Sequence, residues 1–146
     1  MKPIKKAYGY ITRVKEEQLQ VLVFRHKGIP EAGIQIPKGT VEVNESTYNA
    51  VMREVKEETG LETFDVKNLI AEDHWENEDG AVHNRYFYKI VCHDERDQWE
   101  HQPTGGGEET GHTFQFFWIA SIGEVDLVRG HADYLNVVLK GCEVSC

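Results

Sequence analysis

Cysteine is scarce in this 146-residue chain: Cys92, Cys142 and Cys146 make an odd number, with no Cys-x-x-Cys pair and no Cys/His zinc spacing. That excludes a disulfide framework and suits a reducing compartment, so a cytoplasmic location is expected. Cys92 ends a strand-like run and reads as a small packing residue rather than a nucleophile. Positive charge is also short: 16 Lys and Arg against 25 Asp and Glu leave a formal net charge of −9. Broad nucleic-acid binding needs a basic footprint to displace counterions, and this composition argues against it. No apolar run approaches the length of a membrane span, and the opening MKPIKKAYGY has basic residues without a following apolar signal region. No membrane partner is expected. His74, His83, His93, His101 and His112 include no i, i+4 pair on a helix of the kind that binds zinc. There is no internal repeat and no linker. The chain reads as one domain over residues 1–140, large enough to bury a core without staples, with a flexible tail at 141–146.

What the chain does have is a concentrated pattern between Gly39 and Leu61, GTVEVNESTYNAVMREVKEETGL. It runs Gly39, five residues, Glu45, seven residues, then Arg53-Glu54-Val55-Lys56-Glu57-Glu58-Thr59-Gly60-Leu61. A helix over about Ser46 to Thr59 turns about 100° per residue, which puts Glu54, Glu57 and Glu58 on one face and Tyr48, Val51, Met52 and Val55 on another. Asn44 or Ser46 can cap its start, and Gly60 can take the left-handed conformation past its end. Like charges at i, i+3 and i, i+4 destabilise a helix by about a few tenths of a kcal/mol per pair. Carboxylates stacked in this way are therefore expected to meet a hard divalent cation such as Mg²⁺ or Mn²⁺. Arg53 can pair with Glu45 or Glu57 and orient a carboxylate. A Glu-rich pentapeptide alone is usually a solvated face, but seven fixed residues and two aliphatic positions meet by chance in a given window less than about once in 10⁸.

Flanking strands are expected at Ala7 to Val14 and Leu19 to Phe24 around the turn Lys15-Glu16-Glu17, then at Ile34 to Pro37. Val66 to His74 and Arg85 to Cys92 flank the turn-like ENEDGA as a hairpin would, and Phe114 to Ala120 is a further strand. Ala132 to Lys140 reads as a short amphipathic helix. The polar stretch from His93 to Gly111 is too long for an ordinary connection and reads as a functional or disordered loop.

The segment from Gly39 to Leu61 matches the Nudix box at every defined position, and the chain resembles the Nudix hydrolases. The resemblance implies an α/β fold: an α/β/α sandwich with a mixed β-sheet, the box forming a loop, helix and loop. It implies a metal-dependent pyrophosphohydrolase cleaving a diphosphate linkage in a small nucleoside-diphosphate-containing substrate. By position, Glu54, Glu57 and Glu58 become metal ligands with the backbone carbonyl of Lys38, and Glu45 and Arg53 the structural pair, Arg53 counted with the catalytic set. The family often adds a carboxylate from a loop outside the box, and Glu108 and Glu109 are the candidates here: Glu108 as ligand, Glu109 in catalysis. Glu76, Glu78 and Glu100 stand next in line. The general base stays open between Glu54, Glu57, Glu109 and His112. Arg25 and Lys38 can supply cations to the substrate, and Trp99, ahead of Trp75 and Tyr86, is the aromatic to stack on a base. The entry Ile36-Pro37-Lys38-Gly39 resembles the dinucleoside-polyphosphate branch. Nucleoside di- or triphosphates and dinucleoside polyphosphates are the expected substrates, with a Nudix-fold nucleotide-binding or regulatory module without turnover as the alternative. A diphosphate isomerase would need a further proton-transfer pair that the sequence does not show.

Overall fold

The computed structural model describes residues 2–105 and 111–139. Seven strands form one mixed sheet: β1 (Ile4–Lys15), β2 (Gln18–His26), β3 (Lys38–Thr40), β4 (Asp65–Glu76), β5 (Val82–Val91), β6 (Gln98–His101) and β7 (Phe114–Ile119). Their order is β4-β5-β1-β2-β7-β6, with β3 pairing β1 beside this path. Only β1 and β5 run parallel, from Ile4 opposite His83 to Thr12 opposite Val91; every other pair of strands is antiparallel.

β1 is the spine of the fold. Residues 7–13 are buried without interruption, as expected of a central strand covered on both faces. Its alternate residues feed two cores. Ala7 and Ile11 join Leu22, Phe24, Ile90, Phe114 and Phe116 under the helix α1 (Thr47–Thr59). Tyr8 and Tyr10 join Val21, Val23, Ile36 and Phe87 on the other face, beneath Leu135, Val138 and Leu139. That second cover is a chain of turns over residues 131–134 and a short helix at 135–139. The expected third layer is therefore present but thin, and Lys140 lies outside the described residues. No helix among the described residues is long and apolar enough to cross a membrane.

The β1–β2 hairpin closes on Glu16 and Glu17, with φ of 53° and 66°. Lys15 pairs with Gln18 across this two-residue turn, the geometry that continues the strands' right-handed twist. Two expectations need correction. Ile34 and Gln35 make only isolated bridges, to Leu127 and Phe24, and the strand begins instead at Lys38, inside the box. The polar stretch from His93 to Gly111 holds a strand, β6, which pairs with β7 from Gln98 opposite Phe117 to His101 opposite Phe114. Its alternation is only four residues long, too short to rise above the surrounding polarity.

Candidate active site

Helix α1 is started and stopped as its sequence requires. The Ser46 hydroxyl accepts the Asn49 N–H at 3.0 Å, while Asn44, the other candidate cap, sits at φ 67° in the loop before it. Gly60 ends the helix at φ 78°, donating its N–H to the Lys56 carbonyl. The Thr47 hydroxyl and Tyr88 phenol lie 2.6 Å apart, tying the first turn to β5. The buried face is narrower than the hydrophobic pattern suggests. Ala50, Val51, Val55 and Thr59 are buried, but Tyr48 is exposed and Met52 only half-buried.

Glu58 falls on the margin of that buried face, 9 % exposed. Its Oε1 accepts the Lys38 N–H at 3.3 Å. Burial first, then the neighbouring Glu54, push the Glu58 carboxyl well above its ordinary range, with Lys38 acting against them. Glu57 is raised likewise by burial and Glu54. A carboxyl pair confined in this way binds a proton more tightly than in water, and a cation beside it would reverse the preference.

Glu54 is seated on Gly39. A Cβ built at Gly39 would lie 2.0 Å from Glu54 Cδ and 2.2 Å from Oε1, so the Glu54 carboxylate takes this place against β3 because residue 39 has no side chain. On the helix's solvent side Arg53 organises the remaining acids. Its Nε and Nη2 donate to Glu45 at 2.8 and 2.9 Å, Nη1 donates to Glu54 at 2.8 Å and Glu57 at 3.3 Å, and Nη2 also reaches the Thr40 carbonyl at 3.1 Å. The Arg53 hydrogen bonds hold Glu45 down to about 2. Arg53 thus pairs with both acids the sequence offered, because a guanidinium has five N–H groups to distribute.

The donor set fits a hard divalent ion. It consists of carboxylate oxygens, two of them on raised, partly or fully buried groups, next to the backbone of β3. Among the described residues no group of three or more His, Cys, Asp and Glu side chains is converged in ligand spacing, and Arg53 lies between Glu54 and Glu57. Binding therefore requires the carboxylates to turn from Arg53 towards the ion.

The other candidates divide. Glu108 and Glu109 lie outside the described residues. His112 packs against the His26 ring, centroids 5.5 Å apart. Strand alternation puts the Arg25 side chain on the face away from α1, its guanidinium 4.5 Å over the Phe117 ring. It lines a cleft of about 420 Å³ with Gln98, Trp99, Glu100, Gln115 and Phe117. Trp99 turns its ring to the α1 side, stacked on Phe116 at 5.2 Å, with the Arg96 guanidinium 4.3 Å from its centroid and its N–H donated to the Thr59 carbonyl at 2.9 Å. Tyr86 packs against the same core. Trp75 sits 4.9 Å from the Arg85 guanidinium and in edge contact with His83. Glu100 pairs with Lys27 and Gln115, and Glu78 with Arg129.

Lys6, which drew no notice in the sequence, donates to the Thr40 hydroxyl at 2.8 Å. Burial, then Lys6 and Lys38, press His83 below its usual range, placing two lysines within electrostatic reach of one imidazole at the β1–β3 end of the sheet. The signal was the strand register: Lys6 pairs with Thr40 and Tyr8 with Lys38, a fact outside any local pattern.

Comparison with known proteins agrees with this geometry. The chain is 36% identical over 92 residues to an RNA pyrophosphohydrolase of Hydrogenovibrio crunogenus (strain DSM 25203 / XCL-2), a match over 62% of this chain and 53% of that protein. It thus spans about half the length of this curated relative. A Nudix hydrolase from M. smegmatis superposes with TM-score 0.68 at 13% identity, covering 96% of this chain and 86% of the other. A C. elegans Ap4A hydrolase binary complex superposes with TM-score 0.60 at 18% identity, covering 80% of each chain. At these identities the structures establish the fold alone. Residues 5–135 match the family described as NUDIX domain, and the chain belongs to that family.

Proposed function

We propose that this chain is a divalent-metal pyrophosphohydrolase, using Mg²⁺ or Mn²⁺, that cleaves a phosphoric anhydride bond in a nucleotide bearing a phosphate chain. The observation that carries this reading is the Glu58 carboxyl, buried and raised beside the raised Glu57, on a helix whose Glu54 side chain packs against the bare Cα of Gly39. Family membership and the printed activity of the relative support it. A buried carboxyl is costly to a fold, and it has a use when a cation takes the place of its proton.

In this reading Glu54, Glu57, Glu58 and the Lys38 carbonyl hold the metal. When bound, it supplies charge neutralisation at the phosphate oxygens and a lowered pKa for water. Glu54 or Glu57 takes the proton of the attacking water, and for Glu57 the raised pKa suits a base working in neutral solution. Before the ion binds, Arg53 holds Glu54 and Glu57, and through Glu45 it locks the box loop. Lys6 and Lys38 offer charge to the phosphate chain at the β1–β3 end, which matters in a protein of net charge −9. The relative's activity favours the 5′ phosphate chain of an RNA as a second substrate beside free nucleotides.

The test is a phosphate and pyrophosphate release screen with Mg²⁺ and Mn²⁺ across nucleoside di- and triphosphates, dinucleoside polyphosphates, ADP-ribose and 5′-triphosphorylated RNA. Glu57→Gln and Glu58→Gln should each lower kcat at least about a hundredfold on the active substrate. Turnover at wild-type rates in both variants overturns the assignment. Nucleotide binding without release of phosphate supports the binding-module alternative.

A further inference from the structure

The last turn of a helix leaves its carbonyls without intrahelical partners, and in α1 two of these, on Glu57 and Thr59, are taken by one distant segment. Thr59 O accepts the Trp99 indole N–H at 2.9 Å. Glu57 O accepts the Thr104 N–H at 3.0 Å and lies 3.0 Å from His101 Nε2. A carbonyl oxygen has two lone pairs and no proton, so Nε2 must carry the hydrogen, which fixes how His101 is protonated at that nitrogen. His101 reaches this position because Gly60 has no side chain: a Cβ there would lie 2.7 Å from His101 Nδ1. The same segment then covers the Glu57 carboxylate. Gly105 runs at φ +88°, and a Cβ on it would lie 2.5 Å from Glu57 Cδ and Oε1 and 2.7 Å from Oε2. Glu57 is held between this backbone and Arg53 Nη1 at 3.3 Å.

We propose that His101, Thr104 and Gly105 form a clamp that positions the Glu57 carboxylate, with Gly105 as the positioning residue whose missing side chain admits it. This rests on the carboxylate-helix reading above. His101 and Thr104 fix the height of the segment over the helix through the Glu57 main chain, and Gly105 uses that height to limit the Glu57 side chain. Positive φ alone also favours glycine, so the test must separate backbone strain from side-chain contact. Gly80 supplies the control: it has φ +85° with nothing within 4 Å of a built Cβ.

The experiment has two arms on the full chain. In metal-free urea unfolding, Gly105→Ala should lower the midpoint in the wild-type background and lose at least half of that effect in Glu57→Ala, where the clashing carboxylate is gone. Gly80→Ala should lower it equally in both backgrounds. In Mn²⁺ titration followed by electron paramagnetic resonance, Gly105→Ala should weaken binding at least about tenfold, Gly80→Ala less than about twofold, and Gly105→Ala in Glu57→Ala should add no further loss. His101→Ala should move kcat more than KM, with partial recovery in His101→Gln, whose amide N–H can still reach the Glu57 carbonyl. An equal cost of Gly105→Ala in both backgrounds, in urea, overturns the clamp. Coupling in urea with no Mn²⁺ bound by the wild type leaves the clamp standing and overturns the metal reading.

Discussion

Gly39→Ala isolates the contact between β3 and helix α1. Gly39 lies in a strand and is not among the positive-φ glycines, so alanine introduces no backbone strain. The cost falls on Glu54 alone. A carbon–carbon contact relaxes near about 3.5 Å, whereas the new Cβ would start 2.0 Å from Glu54 Cδ, so the carboxylate must retreat by about 1.5 Å. A misplacement of about 1 Å can cost about a hundredfold in rate, equivalent to about 2.7 kcal/mol of transition-state stabilisation. Stability should change far less. The Arg53–Glu54 pair is partly exposed, which limits its worth to about 1 kcal/mol. The reduced freedom of alanine in the unfolded chain returns about 0.4–1 kcal/mol. The variant should therefore melt within about 3 °C of the wild type while kcat, measured by phosphate release at saturating Mg²⁺, falls at least about a hundredfold. In the Glu54→Ala background, where Cγ, Cδ and Oε1 are absent, Gly39→Ala should be neutral or slightly stabilising. Wild-type turnover in Gly39→Ala, or an equal loss of stability in both backgrounds, would refute the role given to this contact.

Other outcomes follow from the same geometry. Glu45, held at about 2 by Arg53 against an ordinary 4.5, contributes stability that is complete above pH 4.5 and is lost as pH falls through about 2; the difference in Tm between wild type and Glu45→Gln should shrink over that window and vanish below it. Glu58→Gln should raise the metal-free Tm at pH 7 while abolishing turnover, because the raised carboxyl penalises the fold increasingly as pH rises above 4.5; a lowered Tm would count against the buried-charge argument. Asp73→Ala should cost about 1–3 kcal/mol in urea unfolding, since the buried Arg85 donates two hydrogen bonds to Asp73, at 2.8 and 2.6 Å, and among the described residues would keep only Asp133 and the Gly130 carbonyl as hydrogen-bond partners. Trp99→Ala should cost about 3 kcal/mol of stability with little change in KM, given its ring's engagement with Phe116 and Arg96; a large rise in KM would instead support its role under a nucleobase.

The parts of this molecule legible in the sequence are those determined within a few residues. Helix α1 shows a 3.6-residue period, a serine at its start and a glycine in the left-handed region at its end, and the structure has the cap, the helix and the stop at those residues. The β1–β2 hairpin is similarly local. Tyr48 shows where local reasoning fails. Its place in the apolar stripe is real, but its ring meets the neighbouring strand edge-on at Tyr88, centroids 6.4 Å apart, and it stays exposed. Burial depends on what stands opposite, and the helix does not encode that.

The same distinction explains which site residues escaped notice. Glu54, Glu57 and Glu58 are three neighbours on one helix, and their spacing alone puts them on one side of it, although the side chains do not converge. Lys6 meets Thr40 through a strand register spanning 34 residues, and His101 meets the Glu57 carbonyl across 44. Neither has a periodicity to report it. Gly105 is the instructive case, because its glycine-rich surroundings read as flexibility, whereas the structure uses the absent Cβ for close approach to a carboxylate, as it does at Gly39. A glycine with open space around it, such as Gly80, and one pressed against an acid carry the same letter. What separates them is the second residue, and for both Gly39 and Gly105 that residue is a glutamate of the same helix, so β3 and the segment after β6 constrain the carboxylates by what they lack.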